Sequence, residues 1–381
     1  MPQDEIIPLL MPKWGLAMTE GTVIAWLVAV GDTVAPEDEL LEIETTKIAG
    51  ALEAPRAGVL RRRIAAAGDC LPVGALLGIL SDGDASDRDI DAFVAAFQES
   101  YVPPETAEGE EATTERTVTV DKLRLAYVQE GGDKDGDGLP CVLIHGFGGD
   151  ANNWLFNLQA IAAERPVYAL DLPGHGRSSK TVGDGTVDAF AATVLDFLDA
   201  LDIARAHLVG HSFGGAVAVA VMAAQPHRVA SVASLAPAGV GETINPDFIA
   251  GFVESERRKD LKAALQLLFA DPDLVSREMI ADVQKYKRLE GALEALRTIA
   301  AANFPDGGQS LSLLSVLERP PAPVMVIWGA DDRILDPAQA DHLPASVTSH
   351  EIPGVGHMAH MEAAVRVNEL LRAQFRAAEK A

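Results

Sequence analysis

The sequence predicts two unlike folds in one chain: a small all-β sandwich, then a larger α/β domain whose mostly parallel sheet carries a helical lid. Three observations lead there. Residues 4–80 consist of short apolar runs punctuated by glycine, with no helical period. Residues 117–378 alternate apolar strands of four to six residues with longer alanine-rich segments, the texture of βαβ units. Between them, residues 82–116 hold the pair Pro103-Pro104 and 11 acids against 2 bases, a linker composition that makes 81–116 the boundary.

The first segment repeats itself. Gly21 and Gly31-Asp32 recur 37 residues later as Gly58 and Gly68-Asp69, with Leu27 matching Ile64 and Leu40 matching Leu77, so two similar halves are expected. Lys47 stands where the halves join and would be displayed at that turn. In the linker, Ile90, Phe93, Val94 and Phe97 stand at i, i+3, i+4 and i+7 behind the capping pair Ser86 and Asp89. A helix of roughly 12 residues does not persist alone, so it must dock, either on one of its own domains or on a partner subunit. In the second domain the expected core strands are Cys141–Ile144, Val167–Leu170, 206–209, Val229–Leu235, 324–327 and 349–352. Residues 241–318 break this rhythm with helical segments at 261–269 and 279–299 and are read as the lid.

Composition narrows the function. With 31 bases against 56 acids the formal charge is −25, which repels phosphate backbones and anionic headgroups; neither nucleic acid nor membrane is an expected partner. The longest unbroken apolar stretch, Phe213–Ala224, has 12 residues against the roughly 20 needed to span a bilayer. Residues 1–7 lack a signal-peptide pattern, and a cytoplasmic protein is expected. Cys70 and Cys141 are too far apart to read as a disulfide framework or a metal pair, and no metal is expected.

Gly210-His211-Ser212-Phe213-Gly214 follows a strand and opens a helix, the context in which GxSxG turns sharply enough to expose a serine. A serine hydroxyl needs a histidine to take its proton and a carboxylate to hold that histidine. Later strands end in Trp328-Gly329-Ala330-Asp331-Asp332 and in Pro353-Gly354-Val355-Gly356-His357, at the edge where open parallel sheets bind ligands. His145-Gly146-Phe147-Gly148-Gly149 supplies a turn whose Phe147 amide, with that of Phe213, can receive an oxyanion. His175 and His211 are expected to hold neighbouring loops, and His360 to be an ordinary helix residue. Arg257, Arg258, Lys259, Lys262, Lys285, Lys287 and Arg288 are either a solvated lid face or a meeting place for a phosphate-bearing acyl carrier.

These motifs, with Asp171-Leu172-Pro173-Gly174-His175-Gly176-Arg177-Ser178 between them, make residues 117–378 similar to the α/β-hydrolase family. The resemblance implies Ser212 as nucleophile, His357 as general base and Asp332, three residues after Gly329, as orienting acid. Residues 4–80 resemble a lipoyl or biotinyl domain through Gly21, Gly31-Asp32, Glu44, Lys47, Ala54-Pro55 and Gly58. Thr46 and Ile48, rather than methionines, flank the lysine, which favours lipoate on Lys47.

Over its whole length the chain resembles the dihydrolipoamide acetyltransferase components of acetoin dehydrogenase complexes. That implies an acetyl group carried on lipoyl-Lys47 and passed to coenzyme A. It also implies, as partners, thiamine-diphosphate-dependent acetoin-cleaving subunits and a dihydrolipoyl dehydrogenase. None of the nine histidines has Asp four residues later, so the HxxxD site of ordinary 2-oxo acid dehydrogenase acyltransferases is absent. Two other readings stay open: a thioesterase or carboxylesterase with a lipoyl arm, and a non-catalytic swinging-arm carrier and assembly subunit.

Overall fold

The structure is a computed structural model that describes residues 6–12, 20–36, 38–44, 49–81, 85–101, 114–131, 138–255 and 257–380. It divides into two compact units, Met1–Ala112 and Thr113–Ala381.

The small unit is a sandwich of two four-stranded antiparallel sheets. Its strands are β1 (Ile6–Leu10), β2 (Glu20–Trp26), β3 (Thr33–Val34), β4 (Glu39–Glu44), β5 (Ala49–Glu53), β6 (Gly58–Arg63), β7 (Cys70–Pro72) and β8 (Leu76–Ser81). One sheet runs β1-β8-β6-β3 and the other β5-β4-β2-β7. Alternation builds the core: on β4, Leu41 and Ile43 are buried while Glu42 and Glu44 face out. Leu9, Val23, Leu40, Leu60 and Leu77 join them inside, each worth about 1.5–3 kcal/mol of burial.

The sequence repeat is a repeat of backbone bonds. Gly31 N–H donates to Leu60 O (2.8 Å) and Leu60 N–H to Asp32 O (3.0 Å); at the equivalent positions Gly68 N–H donates to Val23 O (2.7 Å) and Val23 N–H to Asp69 O (2.9 Å). Asp32 and Asp69 each close their turn by accepting from the amide three residues before, Ala29 and Ala66, both at 2.8 Å. Gly31 and Gly68 turn through φ of +99° and +94°, where a Cβ would be strained. The halves join between β4 and β5, which pair with Glu44 opposite Ala49; Lys47, the expected attachment residue, lies outside the described residues.

The linker helix is Asp87–Ser100, capped by Ser86 Oγ, which accepts from Asp89 N–H. Its docking, open from the sequence, is on its own small unit: Ile90, Phe93, Val94 and Phe97 cover Ile6, Leu10, Ile64, Leu76 and Ile79 on the outer face of the β1-containing sheet. Arg61 donates to Ala85 O (2.9 Å) and pairs with Asp87 (3.1 Å) at the helix start. At the other end of the expected linker, the first strand of the large unit already begins at Thr114. Counting acids hid that start, because an edge strand tolerates charge.

The large unit has eight strands: β9 (Thr114–Val120), β10 (Leu123–Glu130), β11 (Cys141–Ile144), β12 (Val167–Leu170), β13 (Ala206–His211), β14 (Val229–Leu235), β15 (Val324–Gly329) and β16 (Thr348–Ile352), in the order β16-β15-β14-β13-β11-β12-β10-β9. All neighbours from β12 to β16 pair in parallel. The antiparallel hairpin β9–β10 extends one edge and is absent from the strands expected above. Among the lid helices are Pro246–Glu254, Arg258–Gln266, Arg277–Lys287 and Ala292–Asn303. The segment expected as one helical stretch over 279–299 is broken because Gly291 turns at φ +81°.

At the end of the sheet away from the strand tips, one carboxylate ties the final helix to the core. Glu379 Oε1 accepts from Leu139 N–H (2.9 Å), from Arg165 (2.5 Å) and from His207 Nε2 (3.1 Å). His207 Nε2 therefore carries the proton, and Nδ1 accepts from Ser231 Oγ at 2.7 Å. Burial pulls His207 down to about 4. The unfolded chain binds the second, charging proton first, so the stability His207 contributes is complete above about pH 6.5 and is lost as pH falls toward 4. His207→Gln, which keeps an N–H for Glu379 but does not titrate, is expected to lose ~2 kcal/mol less than the unmodified protein between about pH 7.5 and 5 in chemical denaturation.

Candidate active site

β13 runs straight into Ser212 and the helix Phe213–Ala224. Ser212 sits at φ 53°, ψ −114°, a strained value for a residue with a side chain. The surroundings hold it there: its N–H donates to Leu235 O (2.8 Å), and its carbonyl accepts from Gly215 (3.0 Å), Ala216 (3.2 Å) and Ala238 (3.1 Å). Both motif glycines are required by space. A Cβ on Gly210 would lie 2.2 Å from Gly214 O, and one on Gly214 would lie 2.4 Å from the carbonyl oxygens of both Ile144 and His145.

Asp332 and His357 leave the ends of β15 and β16. His357 Nδ1 lies 2.7 Å from Asp332 Oδ2, and both side chains are buried. Asp332 accepts three further bonds, from Trp328 Nε1 (3.1 Å) and from the amides of Ile334 (2.7 Å) and Leu335 (3.1 Å). With Asp332 accepting at this contact, Nδ1 is the nitrogen of His357 that carries the proton. Its neighbour Asp331 is exposed. Nε2 of His357 is thereby left with a lone pair that can accept a proton.

The third part is the loop after β11. His145 Nδ1 donates to Gly146 O (2.8 Å), and its Nε2 accepts from Leu172 N–H (3.0 Å), so the ring is neutral and staples this loop to the next. Burial pushes His145 down to about 4. Asp171 accepts from Ala151 N–H and Arg177 N–H, both at 2.8 Å. His175 donates through Nδ1 to Pro173 O at 2.9 Å.

Ser212, His357 and Phe147 line one cavity of about 90 Å³. That is small beside the roughly 300–1,000 Å³ of ordinary ligand pockets. The amide of Phe213 is the first of its helix, where N–H groups have no intrahelical acceptor. The lid roofs the cavity with Phe248, Phe252 and Phe304, and Gly148 at φ +75° lets Phe252 approach, since a Cβ there would lie 2.3 Å from that ring. Of the seven lid bases considered above, none lines the cavity. Lys287 instead donates to Phe252 O and Ser255 O, both at 2.7 Å, closing the end of the helix Pro246–Glu254.

Several residues escaped the sequence reading. Glu362 accepts from Gly356 N–H (3.0 Å) and Ala270 N–H (2.8 Å), joining the histidine loop to the lid. Arg333, directly after the acid, donates to Gln266 O and Phe269 O at the end of another lid helix. His360, expected as an ordinary helix residue, is fully buried with neither ring nitrogen partnered. The lone signal in sequence for these was proximity to Asp332 and His357.

Comparisons with known proteins cover both units. A family model of the alpha/beta hydrolase fold matches residues 140–364, and a biotin/lipoyl model, described as "Biotin-requiring enzyme", matches residues 8–80. The dihydrolipoyllysine-residue acetyltransferase component of the acetoin cleaving system of Pseudomonas putida is 47% identical over 98% of this chain and 99% of its own. The protein of the same name from Cupriavidus necator is 44% identical over 96% of each. Among solved structures, a meta-cleavage product hydrolase from Pseudomonas fluorescens superposes with a TM-score of 0.62 at 22% identity, over 69% of this chain and 98% of that one, which speaks for the fold.

Two substitutions separate scaffold from chemistry. Gly214→Ala should lower the melting temperature and abolish cleavage of p-nitrophenyl acetate, because backbone oxygens cannot yield to a Cβ. Asp332→Asn should leave the melting temperature nearly unchanged yet slow ester cleavage ~10²–10⁴-fold, because the imidazole then takes the wrong tautomer. Equal rates for Asp332→Asn and the unmodified protein would remove Asp332 from the site.

Proposed function

The chain belongs to the family of dihydrolipoyllysine-residue acetyltransferase components of acetoin-cleaving systems, and on that premise we propose that it accepts an acetyl group on lipoyl-Lys47 and transfers it to coenzyme A. One observation carries the reading: the similarity spans both units at once, whereas a free-standing hydrolase would match only the second. Lipoate amide-linked to Lys47 would supply a dithiolane that takes up an acyl group and presents it as a thioester.

The residues of the large unit then do the transfer. Ser212 Oγ attacks the thioester carbonyl while His357 Nε2 takes its proton, and the amides of Phe147 and Phe213 receive the oxyanion. Collapse breaks the C–S bond, and the departing sulfur takes the proton back from His357. Coenzyme A next gives its thiol proton to His357 and attacks the acetyl-Ser212 carbonyl, which releases acetyl-coenzyme A and restores the serine hydroxyl. Asp332 holds the imidazolium in both halves. The small cavity supports an acyl group of few atoms. Its described lining offers histidines but no lysine or arginine, which disfavours acyl groups ending in a carboxylate. Phenylalanines of the lid shield the acetyl-serine from water.

The partners that this reading requires are a thiamine-diphosphate-dependent enzyme that cleaves acetoin and acetylates the arm, and a dihydrolipoyl dehydrogenase that reoxidises it. No described helix is long and apolar enough to cross a membrane.

Product analysis tests the proposal. Given acetyl-dihydrolipoamide and saturating coenzyme A, the protein should form acetyl-coenzyme A faster than acetate, and Ser212→Ala should remove most of that transfer. Acetate in excess would instead identify a thioesterase. Intact-mass analysis after lipoylation should find one lipoyl group on the unmodified chain and none on Lys47→Arg; a biotin adduct on Lys47 would refute the carrier role.

A further inference from the structure

We infer that His211, the residue before the nucleophile, is a positioning residue that holds the general base in register with the serine; the inference rests on reading Ser212, His357 and Asp332 as a triad. The bond from His357 Nδ1 to Asp332 sets the rotation of the imidazole, but it does not set where the His357 backbone stands. Gly356 and Met358, on either side, are bonded toward the lid, and on the side facing the serine the His357 backbone is held by His211, whose Nε2 lies 3.0 Å from the carbonyl oxygen of His357. A carbonyl only accepts, so His211 carries its proton on Nε2.

The remaining nitrogen, Nδ1, is then a bare acceptor. It is buried without a partner and faces Gly146, where a Cβ would approach it to 2.7 Å. The ring therefore fills the gap between the oxyanion loop and the histidine loop, while its own backbone leads directly into Ser212. One side chain touches two parts of the site and is covalently joined to the third. Its ring meets His357 edge-on, with centroids 4.6 Å apart. Behind it stands His360 at 4.7 Å, itself against Trp154 at 4.5 Å. The ring is buried among these neighbours. His145, His357 and His360 are the titratable groups that face it, and burial together with these rings keeps His211 neutral. A neutral ring there matters, because the imidazolium formed on His357 during attack would meet a like charge if His211 were protonated.

If the bond acts on the reaction, its loss should lower turnover rather than binding, since a misplacement of about 1 Å is worth ~10² in rate. The test uses the full chain with p-nitrophenyl acetate, which reads acylation of Ser212 without lipoate or coenzyme A. His211→Leu is expected to cut kcat about 10- to 100-fold with KM within about twofold, and His211→Gln, whose amide can again donate to the His357 carbonyl, to recover most of it. In the unmodified protein, 15N NMR of labelled histidine should show His211 as the Nε2–H tautomer. An Nδ1–H tautomer would overturn the inference without any variant having to fold. So would a His211→Leu protein that keeps kcat within about twofold, or Leu and Gln variants that lose activity equally and in step with thermal stability. Undiminished ester cleavage by Ser212→Ala would instead overturn the triad reading, and this inference with it.

Discussion

Two carbonyl oxygens, those of Ile144 and His145, press so closely on residue 214 that it has no space for a side chain. That contact between backbone segments brings the end of β11 against the start of the helix Phe213–Ala224, and the spacing between the loop after β11 and Ser212 follows from it. Ser212 is left in a conformation that costs roughly 1–3 kcal/mol, held by one donated and three accepted backbone bonds. The sheet can bear that strain because β11, β13 and β14 are fully buried parallel neighbours.

Asp332 and His357 must then come to Ser212 rather than the reverse. Each is tied down on its far side by a residue that faces the lid: Arg333 next to Asp332 grips Gln266 O and Phe269 O, and Glu362 after His357 grips Ala270 N–H. Met358 N–H adds a bond to Leu268 O at 3.2 Å. The segment 266–270 is therefore both the end of a lid helix and the outer support of the loops that carry Asp332 and His357. Movement of this part of the lid would be felt at His357, which makes it a poor candidate for a freely opening flap.

Most of the fold could be read from sequence because it is written in short-range patterns. The strands around Ser212 are continuous apolar runs that need no partner to be recognised, and the glycines of 210–214 announce a turn by composition alone. Family resemblance points to Asp332, three residues after Gly329, and the burial of Asp332 among four donors, beside an exposed Asp331, gives it a physical ground. What stayed hidden depends on residues far apart in sequence. Glu362 reaches back 92 positions to Ala270, and Phe252 matters only because Gly148, on another loop, makes room for it. The helix Asp87–Ser100 was legible as a helix, whereas the apolar outer face that it covers is spread over β1, β8 and Ile64, just after β6.

The duplicated bonds of the small unit also bear on the order of events in its folding. Gly31 bonds to Leu60, Val23 to Asp69 and Met11 to Ala75, so much of what stabilises either half is supplied by the other, tens of residues away. Such a domain has high contact order and gains little until both halves exist, since each loop closure must be completed before the contacts that repay it. During synthesis the first half therefore waits for the second, and Lys47 is made before the residues that complete its domain. Any enzyme that modifies this domain by its folded shape must act after residue 81 has been made and paired with Ile6, so the modification would report that the whole carrier has folded.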